Sequence, residues 1–308
     1  MVIIEGNISF STIIWSFMRG GPSCIGPVKS EKIQARSISL ARRCAVAKIY
    51  YVGDWAVMTG PVFAETPFYS ASKGLDIFNY GKWLKEALES TSRHSVESVP
   101  TWDFYNKLGP GDYEKILEGN DVLIFSDIDA KLFQLSPSFF DREKFGTRIL
   151  TFPDRIRLTL EAVENGKGAM FLGGWYSFTG ELGKGGWGRT LLREILPVRC
   201  LDFEDLIEST EGFFAEATTE GKKHYQGIDF KTMPPLLGYN KTLPKQGAKV
   251  LLRVKETGDP LVAVWTYGKG RVLTFASDPA PHWGCNFVFW AKYAEFWLRC
   301  LDYVLGKK

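Results

Sequence analysis

The fold of this chain is organised around the stretch Gly168-Ala-Met-Phe-Leu-Gly-Gly-Trp-Tyr-Ser-Phe-Thr-Gly180. Its apolar run, Ala169 to Leu172, predicts a short buried strand, and the two glycines after it predict a sharp turn. A helical pattern follows from Arg189 to Ile195. At the carboxyl end of a central strand, α/β proteins bind ligands and mount nucleophiles. Here the turn carries Trp175 where a reactive side chain is expected.

On the amino-terminal side of this stretch, apolar strands alternate with helical patterns. Lys48 to Gly53, His94 to Val99 and Asp121 to Ser126 predict strands, and Asp154 to Asn165 predicts an amphipathic helix. We interpret Met58 to Ser72 as a loop and Leu75 to Leu88 as a helix, and Pro137 to Phe140 as a further helical turn. Strands too apolar to face water indicate a parallel sheet covered on both sides.

The pattern changes beyond Pro197. Val250 to Val254, Leu261 to Tyr267 and Arg271 to Ala276 predict three strands, and Gly268-Lys-Gly270 predicts a tight hairpin between the last two. The aromatic residues between Phe287 and Leu305 recur at helical spacing, which we interpret as a closing helix whose stripe packs into the core.

The charge is distributed unevenly along the 308 residues. Residues 1–47 carry six basic and two acidic side chains, which leaves 32 basic and 33 acidic residues beyond them. Residues 48–308 are therefore nearly neutral and lack the excess of positive charge that is typical of nucleic-acid-binding proteins. We interpret residues 1–47 as a disordered extension or a wrongly assigned start, with a transit or membrane-surface role as the alternative, and 48–308 as one domain.

The five cysteines are scattered without a C-x-x-C pair, which indicates reduced thiols in a cytoplasmic protein. No apolar run approaches the roughly 18 residues that span a bilayer, so we expect no membrane partner.

Polar side chains follow the predicted strands. The carboxyl ends of parallel strands share one edge, so we expect these groups to converge with His282, which Asp278 has the spacing to orient. Carboxylates with an imidazole suit a divalent cation, but no H-x-H or H-E-x-x-H pairing supports one, and we assign neither a metal nor a cofactor. Asp127 and Asp129 have helix capping as an alternative role. The strand-end groups are Asp54, Ser126, Asp127, Asp129 and Asp278.

Aromatic and amide residues fall in the same predicted loops. Beside carboxylates, aromatic faces suit a small polar, sugar-like ligand, and they equally suit a subunit contact in a homo-oligomer. The bare backbone of Gly173 and Gly174 would allow a ligand to approach closely. The remaining candidates are Trp55, Trp175, Tyr176, Tyr239, Asn240 and Trp283.

Taken together, several motifs resemble the class I glutamine amidotransferase-like superfamily. The resemblance covers about residues 48–305 and is strongest to the branch named only as glutamine amidotransferases of unproven activity. It implies a three-layer, flavodoxin-like, mainly parallel sheet with an antiparallel extension, similar also to trehalose-utilisation-type proteins. The motifs are Val52-Gly-Asp-Trp55, Phe125-Ser-Asp-Ile128, Phe171-Leu-Gly-Gly174 with Ser177-Phe178, Pro235-Leu-Leu-Gly-Tyr-Asn240, Tyr267-Gly-Lys-Gly-Arg271 and Ser277-Asp278 with His282-Trp283-Gly284.

The resemblance also implies a catalytic triad, in which a cysteine on the strand-to-helix turn is activated by a histidine that a glutamate orients. Trp175 stands at that turn, His282 matches the histidine loosely, and Gly284 stands at the glutamate position. We therefore predict no glutamine hydrolysis by this triad. Ser177 lacks the G-x-S-x-G spacing of a hydrolase turn, and Cys285 lies three residues after His282.

Three functions remain open from the sequence. The first is a catalytically divergent amidotransferase-like protein that binds a small polar molecule at the strand carboxyl ends. The second is a hydrolase or lyase that uses His282 with Asp278, metal-assisted or not, with Ser177 as a further catalytic candidate. The third is an assembly domain whose aromatic mouth contacts another subunit.

Overall fold

Five parallel strands form the larger part of the eight-stranded central sheet. The structure, a computed structural model, describes residues 46–63, 70–137, 143 and 153–307, which belong to one compact unit, Ala45–Lys308. The five strands are β1 (Ala47–Val52), β4 (His94–Val99), β5 (Val122–Ser126), β6 (Gly168–Leu172) and β14 (Gly270–Phe275). From the edge inward they run β4, β1, β5, β6, β14, and every neighbouring pair is parallel.

Three antiparallel strands extend the sheet beyond β14. They are β13 (Pro260–Tyr267), β12 (Lys249–Val254) and β9 (Ala215–Ala217), in that order. The hairpin predicted at residues 268–270 is confirmed, because β13 and β14 pair from Tyr267 and Gly270 outward. The mainly parallel sheet with an antiparallel extension is therefore confirmed as well.

Strand β6 separates the two apolar layers of the core. All five of its residues are buried, and successive side chains point to opposite faces. Met170 and Leu172 pack on one side, while Ala169 and Phe171 pack on the other. The Phe171 ring stacks on Phe125 with 5.7 Å between centroids. Because both faces of the strand are buried, its sequence is one continuous apolar run.

Helices cover both faces of the sheet. The face of Met170 is covered by α1 (Lys82–Glu89), α7 (Thr219–His224) and α8 (Tyr293–Val304). Phe296 and Trp297 of α8 are fully buried, which confirms the predicted packing role for most of the aromatic stripe. Phe289 is the exception at 75% exposed, and the helix predicted from Phe287 begins only at Tyr293. The face of Phe171 is covered by α2 (Thr101–Asn106), α3 (Asp112–Gly119), α4 (Ala130–Gln134), α5 (Arg155–Glu164) and α6 (Leu192–Ile195).

Three two-stranded sheets complete the described architecture. One pairs β8 (Leu206–Phe213) with β10 (Leu236–Asn240), and another pairs β7 (Val198–Cys200) with β11 (Thr242–Pro244). The third pairs β2 (Trp55–Phe63) with β3 (Ser70–Asn79). Within the described part of the chain, no helix is long and apolar enough to cross a bilayer.

The β2–β3 pair corrects two predictions. Residues 58–72 were predicted as a loop, and most of them are strand; residues 75–88 were predicted as a helix, which begins only at Lys82. Phe78, an apolar residue of the predicted helical pattern, lies on β3 and is 36% exposed. Most of the turn predicted at 137–140, and nearly all of the extension predicted at 1–47, lie outside the described residues.

The stacked position of Phe171 predicts a large loss of stability on truncation. Phe171→Ala removes a fully buried ring from the middle of the sheet, so we expect the free energy of unfolding to fall by about 3–5 kcal/mol. Phe203→Ala is the matched control, because Phe203 is 69% exposed and should change stability by less than about 0.5 kcal/mol. Urea unfolding followed by circular dichroism measures both, and equal losses would contradict the assignment of β6 to the core.

Candidate functional site

Unusual backbone conformations mark the carboxyl edge of the parallel strands. Asp54 after β1 and Asp127 after β5 have φ of 55° and 45°, and Gly174 after β6 has φ of 145°. Residues other than glycine seldom adopt positive φ, and such strain concentrates at functional sites. Three adjacent strands thus turn sharply at one edge, which brings their following residues together.

Contact between Asp127 and the turn after β6 fixes the direction of that turn. A Cβ at Gly174 would lie 2.7 Å from Asp127 Oδ1, so only glycine fits there. The same carboxylate oxygen accepts a 2.7 Å hydrogen bond from the backbone N–H of Tyr176. Asp127 therefore orients the residues that follow the turn and is not a helix cap.

The hydroxyl of Ser177 bonds to backbone on both sides. Its Oγ donates to the Leu172 carbonyl at 2.6 Å and accepts from the Asp127 N–H at 3.1 Å. Ser177 is fully buried. This geometry ties the end of β6 to the end of β5 and leaves the hydroxyl turned away from solvent.

Asn240 ties the same turn to β10 through its amide side chain. Its Oδ1 accepts from the Gly174 N–H at 3.0 Å, and its Nδ2 donates to the Gly174 carbonyl at 3.1 Å and to Asp205 Oδ1 at 3.0 Å. Asp205 in turn accepts from the N–H groups of Thr179 and Gly180. Both side chains are buried and serve the turn, and sequence reasoning missed Asp205.

Asp54 is buried beside the ends of β1 and β5. It accepts hydrogen bonds from the Tyr51 hydroxyl and, at 2.9 Å, from Ser126 Oγ. Burial first, and then the negative charge of Asp278, raise the pKa of Asp54 well above its ordinary value, although both hydrogen bonds oppose the shift. Sequence reasoning missed Tyr51, which reads as an ordinary strand residue.

His282 and Asp278 form the pair that the sequence predicted, with 3.0 Å between Nδ1 and Oδ2. Asp278 also accepts from the Ala280 N–H at 2.9 Å. Burial, and next the charge of Asp127, raise the pKa of Asp278 well above its ordinary value. Burial lowers the pKa of His282 despite nearby acidic groups. Both shifts favour a neutral hydrogen bond over an ion pair.

Besides burial, the charges of Asp278 and Asp127 raise the pKa of Asp54, and the charge of Asp127 raises the pKa of Asp278, so these three of the four strand-end aspartates interact while Asp129 caps α4. Burial raises the pKa of Asp127 as well. Like charges in one buried site cannot all ionise cheaply, so this edge of the sheet retains protons at a pH where exposed carboxylates have lost theirs.

Two indoles and a carboxylate surround His282. The Trp175 ring meets the imidazole edge-on at 4.0 Å between centroids, and the Trp283 ring stacks on it at 5.2 Å. Both indole N–H groups donate to Glu208 Oε1, at 3.3 and 2.7 Å. Sequence reasoning missed Glu208, which lies on β8 some 75 positions before Trp283.

A groove of about 370 Å³ opens beside these side chains. His282 contributes a polar group to it, and Leu237 contributes an apolar wall. The groove combines an apolar surface with a few directed polar groups, which is how small-molecule sites are built. Its lining residues are Glu208, Ser209, Thr210, Leu237, His282 and Trp283.

Other predicted site residues contact different parts of the molecule. Trp55 donates to Ser98 Oγ at 3.2 Å, and the Tyr239 hydroxyl donates to Asp259 at 2.7 Å. The Tyr176 ring lies 5.8 Å from Lys184 Nζ.

The Cys285 thiol donates to the His282 carbonyl oxygen at 2.8 Å, which is backbone and not the imidazole. Asp129 caps α4 by accepting from the N–H groups of Lys131 and Leu132.

The described part of the chain contains no cluster of side chains arranged to bind a metal ion. No group of three or more histidine, cysteine, aspartate or glutamate side chains there has an arrangement that could hold a metal ion. The carboxylates at the strand ends accept hydrogen bonds from hydroxyl and backbone groups instead.

The sheet and its strand-edge site define an α/β protein of the amidotransferase-like class, and comparison with known proteins agrees. A family model described as "Putative glutamine amidotransferase" matches residues 68–306. The chain belongs to this family. A search of curated proteins gave no match.

Two solved structures from Salmonella typhimurium are similar to the chain over most of its length. Cytoplasmic Protein STM1381 from strain LT2 is 31% identical, with a TM-score of 0.71, and the match covers 85% of this chain and 100% of that one. Cytoplasmic Protein STM3548 is 26% identical, with a TM-score of 0.70, and the match covers 84% and 99%.

The raised pKa of Asp54 predicts a pH-dependent gain in stability for Asp54→Asn. The folded state holds the Asp54 proton to a higher pH than the unfolded chain does, so this group stabilises the fold at low pH and that contribution is lost as pH rises. Removing the charge should therefore raise the free energy of unfolding at pH 8 by about 0.5–2 kcal/mol. The gain should shrink as pH falls towards the ordinary pKa of an aspartate.

Urea unfolding at pH 5, 6, 7 and 8 measures this dependence. Asp202→Asn, which removes an exposed carboxylate, is the control and should leave stability nearly unchanged at every pH. A loss of stability in Asp54→Asn that is the same at all four pH values would contradict the prediction.

Proposed function

We propose that this protein binds a small polar, sugar-like molecule in the groove beside His282, without acting as a cysteine-dependent glutaminase. The observation that carries the proposal is the arrangement of Trp175, Trp283 and Glu208 around the imidazole. Trp283 and Leu237 give the groove its apolar lining, the Trp175 ring beside His282 is 42% exposed, and Glu208 and His282 supply directed polar groups.

The chemistry of a sugar fits such a surface. A sugar ring presents C–H faces that pack on aromatic rings and hydroxyls that both donate and accept hydrogen bonds. Glu208 is exposed at the groove and keeps one carboxylate oxygen that no described indole occupies. The groove volume of about 370 Å³ lies in the lower part of the range for small-molecule sites.

The cysteines of the described residues support the absence of a thiol nucleophile. Cys200 and Cys300 are buried, and burial raises the pKa of each thiol to about 12, whereas a nucleophilic cysteine needs a lowered pKa. Cys285 is exposed, but its thiol donates to a backbone carbonyl. Trp175 occupies the turn on which the enzymes of this class carry their thiol.

A second candidate function is a hydrolase or lyase with His282 as general base, favoured by the contact between Nδ1 and Asp278. The two functions differ in the position of the proton between Asp278 and His282 Nδ1. If Asp278 is ionised, it accepts from Nδ1–H and leaves a basic Nε2, as catalysis requires. If Asp278 is protonated, it donates to Nδ1 and makes Nε2–H a hydrogen-bond donor. The raised pKa of Asp278 favours the second state, and hence binding.

We also propose that the protein acts in the cytoplasm. Two similar structures carry the name cytoplasmic protein. The exposed Cys285 thiol is compatible with a reducing compartment.

Glu208→Ala tests the binding site. Removing the carboxylate frees both indoles and deletes the charged acceptor, so we expect affinity to fall at least about tenfold. Isothermal titration with D-glucose, D-galactose and D-mannitol measures binding, and mass spectrometry of the denatured protein identifies any co-purified ligand. Glu211→Ala is the control, because Glu211 is exposed on the same strand and does not line the groove. The proposal would be contradicted if none of the three probes binds and no ligand co-purifies, or if Glu208→Ala binds a probe with the affinity of the unmodified protein.

Glutaminase activity is the second test. We expect ammonia release from L-glutamine to stay at the background of a protein-free sample, and Cys285→Ala to leave that background unchanged. The reason is that no described thiol is placed to attack. Turnover that His282→Ala abolishes would instead establish hydrolysis at this site and overturn the binding proposal.

A further inference from the structure

A second cavity, of about 510 Å³, lies between the start of α4 and the loop that precedes α6. Its lining comes from residues 129–134 on one side and residues 182–190 on the other. The loop curves because Leu182, Gly183 and Gly186 have φ between 52° and 71°. The cavity is lined by Asp129, Ala130, Lys131, Gln134, Leu182, Gly183, Lys184, Gly186, Arg189 and Thr190.

Positive charge dominates this lining. Lys131, Lys184 and Arg189 are exposed residues that line the cavity, and within the described residues no salt bridge joins any of them to a carboxylate. Asp129 is the only acidic lining residue, and its Oδ1 already accepts from the N–H groups of Lys131 and Leu132. Three cationic side chains and one carboxylate therefore line this cavity, which leaves a net positive charge among its lining residues.

The loop holds Arg189 over the cavity. A Cβ built at Gly183 would lie 3.4 Å from Arg189 Nη2, so the guanidinium folds back against the bare backbone of that glycine. Lys184 is held on the other side, with Nζ 5.8 Å from the centre of the Tyr176 ring. Two of the three cations are thus oriented by contacts within the loop.

We propose that this cavity binds a small molecule that carries phosphate. A guanidinium presents paired N–H donors that match the oxygens of a phosphate, and lysine ammonium groups add charge without a fixed direction. A phosphate ester carries more charge per group than a carboxylate, which suits three cations in one cavity. The volume has room for an organic portion beside the phosphate. The near-neutral body of the chain speaks against a nucleic acid as the ligand.

Titration with sodium pyrophosphate and inorganic phosphate at constant ionic strength tests the proposal, because surface attraction alone would be screened by salt. We expect pyrophosphate to bind the unmodified protein and Arg189→Gln to weaken binding at least tenfold. Arg193→Gln is the matched control, since Arg193 is exposed on α6 outside the cavity, and it should bind as the unmodified protein does.

Two further variants and a second anion complete the experiment. Lys131→Gln provides a second variant if Arg189→Gln fails to fold, as judged by circular dichroism, and should also weaken binding. Absence of pyrophosphate binding, or binding by both cavity variants with the affinity of the unmodified protein, would overturn the site. Citrate binding as tight as pyrophosphate binding would overturn the phosphate assignment. Glu208→Ala should bind pyrophosphate normally, which separates failure of this cavity from failure of the groove at His282.

Discussion

The contact between Asp127 and the bare backbone of Gly174 is the constraint on which the candidate site depends. It allows β5 and β6 to turn side by side, and its carboxylate directs the next residues through the Tyr176 N–H. Asn240 then anchors the turn from the opposite side through both backbone groups of Gly174. With the backbone of the turn held from two directions, the Trp175 ring is placed against His282.

This anchoring requires carboxyl groups in a buried place, and their burial has electrostatic consequences. Removing Asp54, Asp127 and Asp278 from water raises the pKa of each, and their mutual repulsion raises those of Asp54 and Asp278 further. Backbone and hydroxyl donors offset part of the cost. The result is an acidic edge that holds protons, beside an imidazole that burial keeps neutral. Such an edge is unfavourable for stability, and proteins commonly retain that kind of cost where they bind ligands.

The sequence predicted the parts of this architecture that depend on local pattern. Continuous apolar runs such as Phe171 and its neighbours identified the buried strands, and the Asp278–His282 spacing identified the central pair. Groups supplied from a distance were missed, because Glu208 and Asp205 reach the site from loops and an edge strand with no local signature. The β2–β3 pair was missed because most of β2 was interpreted as a loop and the end of β3, with the partly exposed Phe78, was counted towards the following helix.

The position of Trp175 decides from which side a ligand can reach His282. The Trp175 indole lies against the His282 imidazole, with 4.0 Å between the ring centroids and the ring planes nearly perpendicular. Since Trp283 stacks on the imidazole and Glu208 holds both indole N–H groups, the turn side is covered. Approach is then left to the side formed by Glu208, Ser209 and Thr210, where the groove opens.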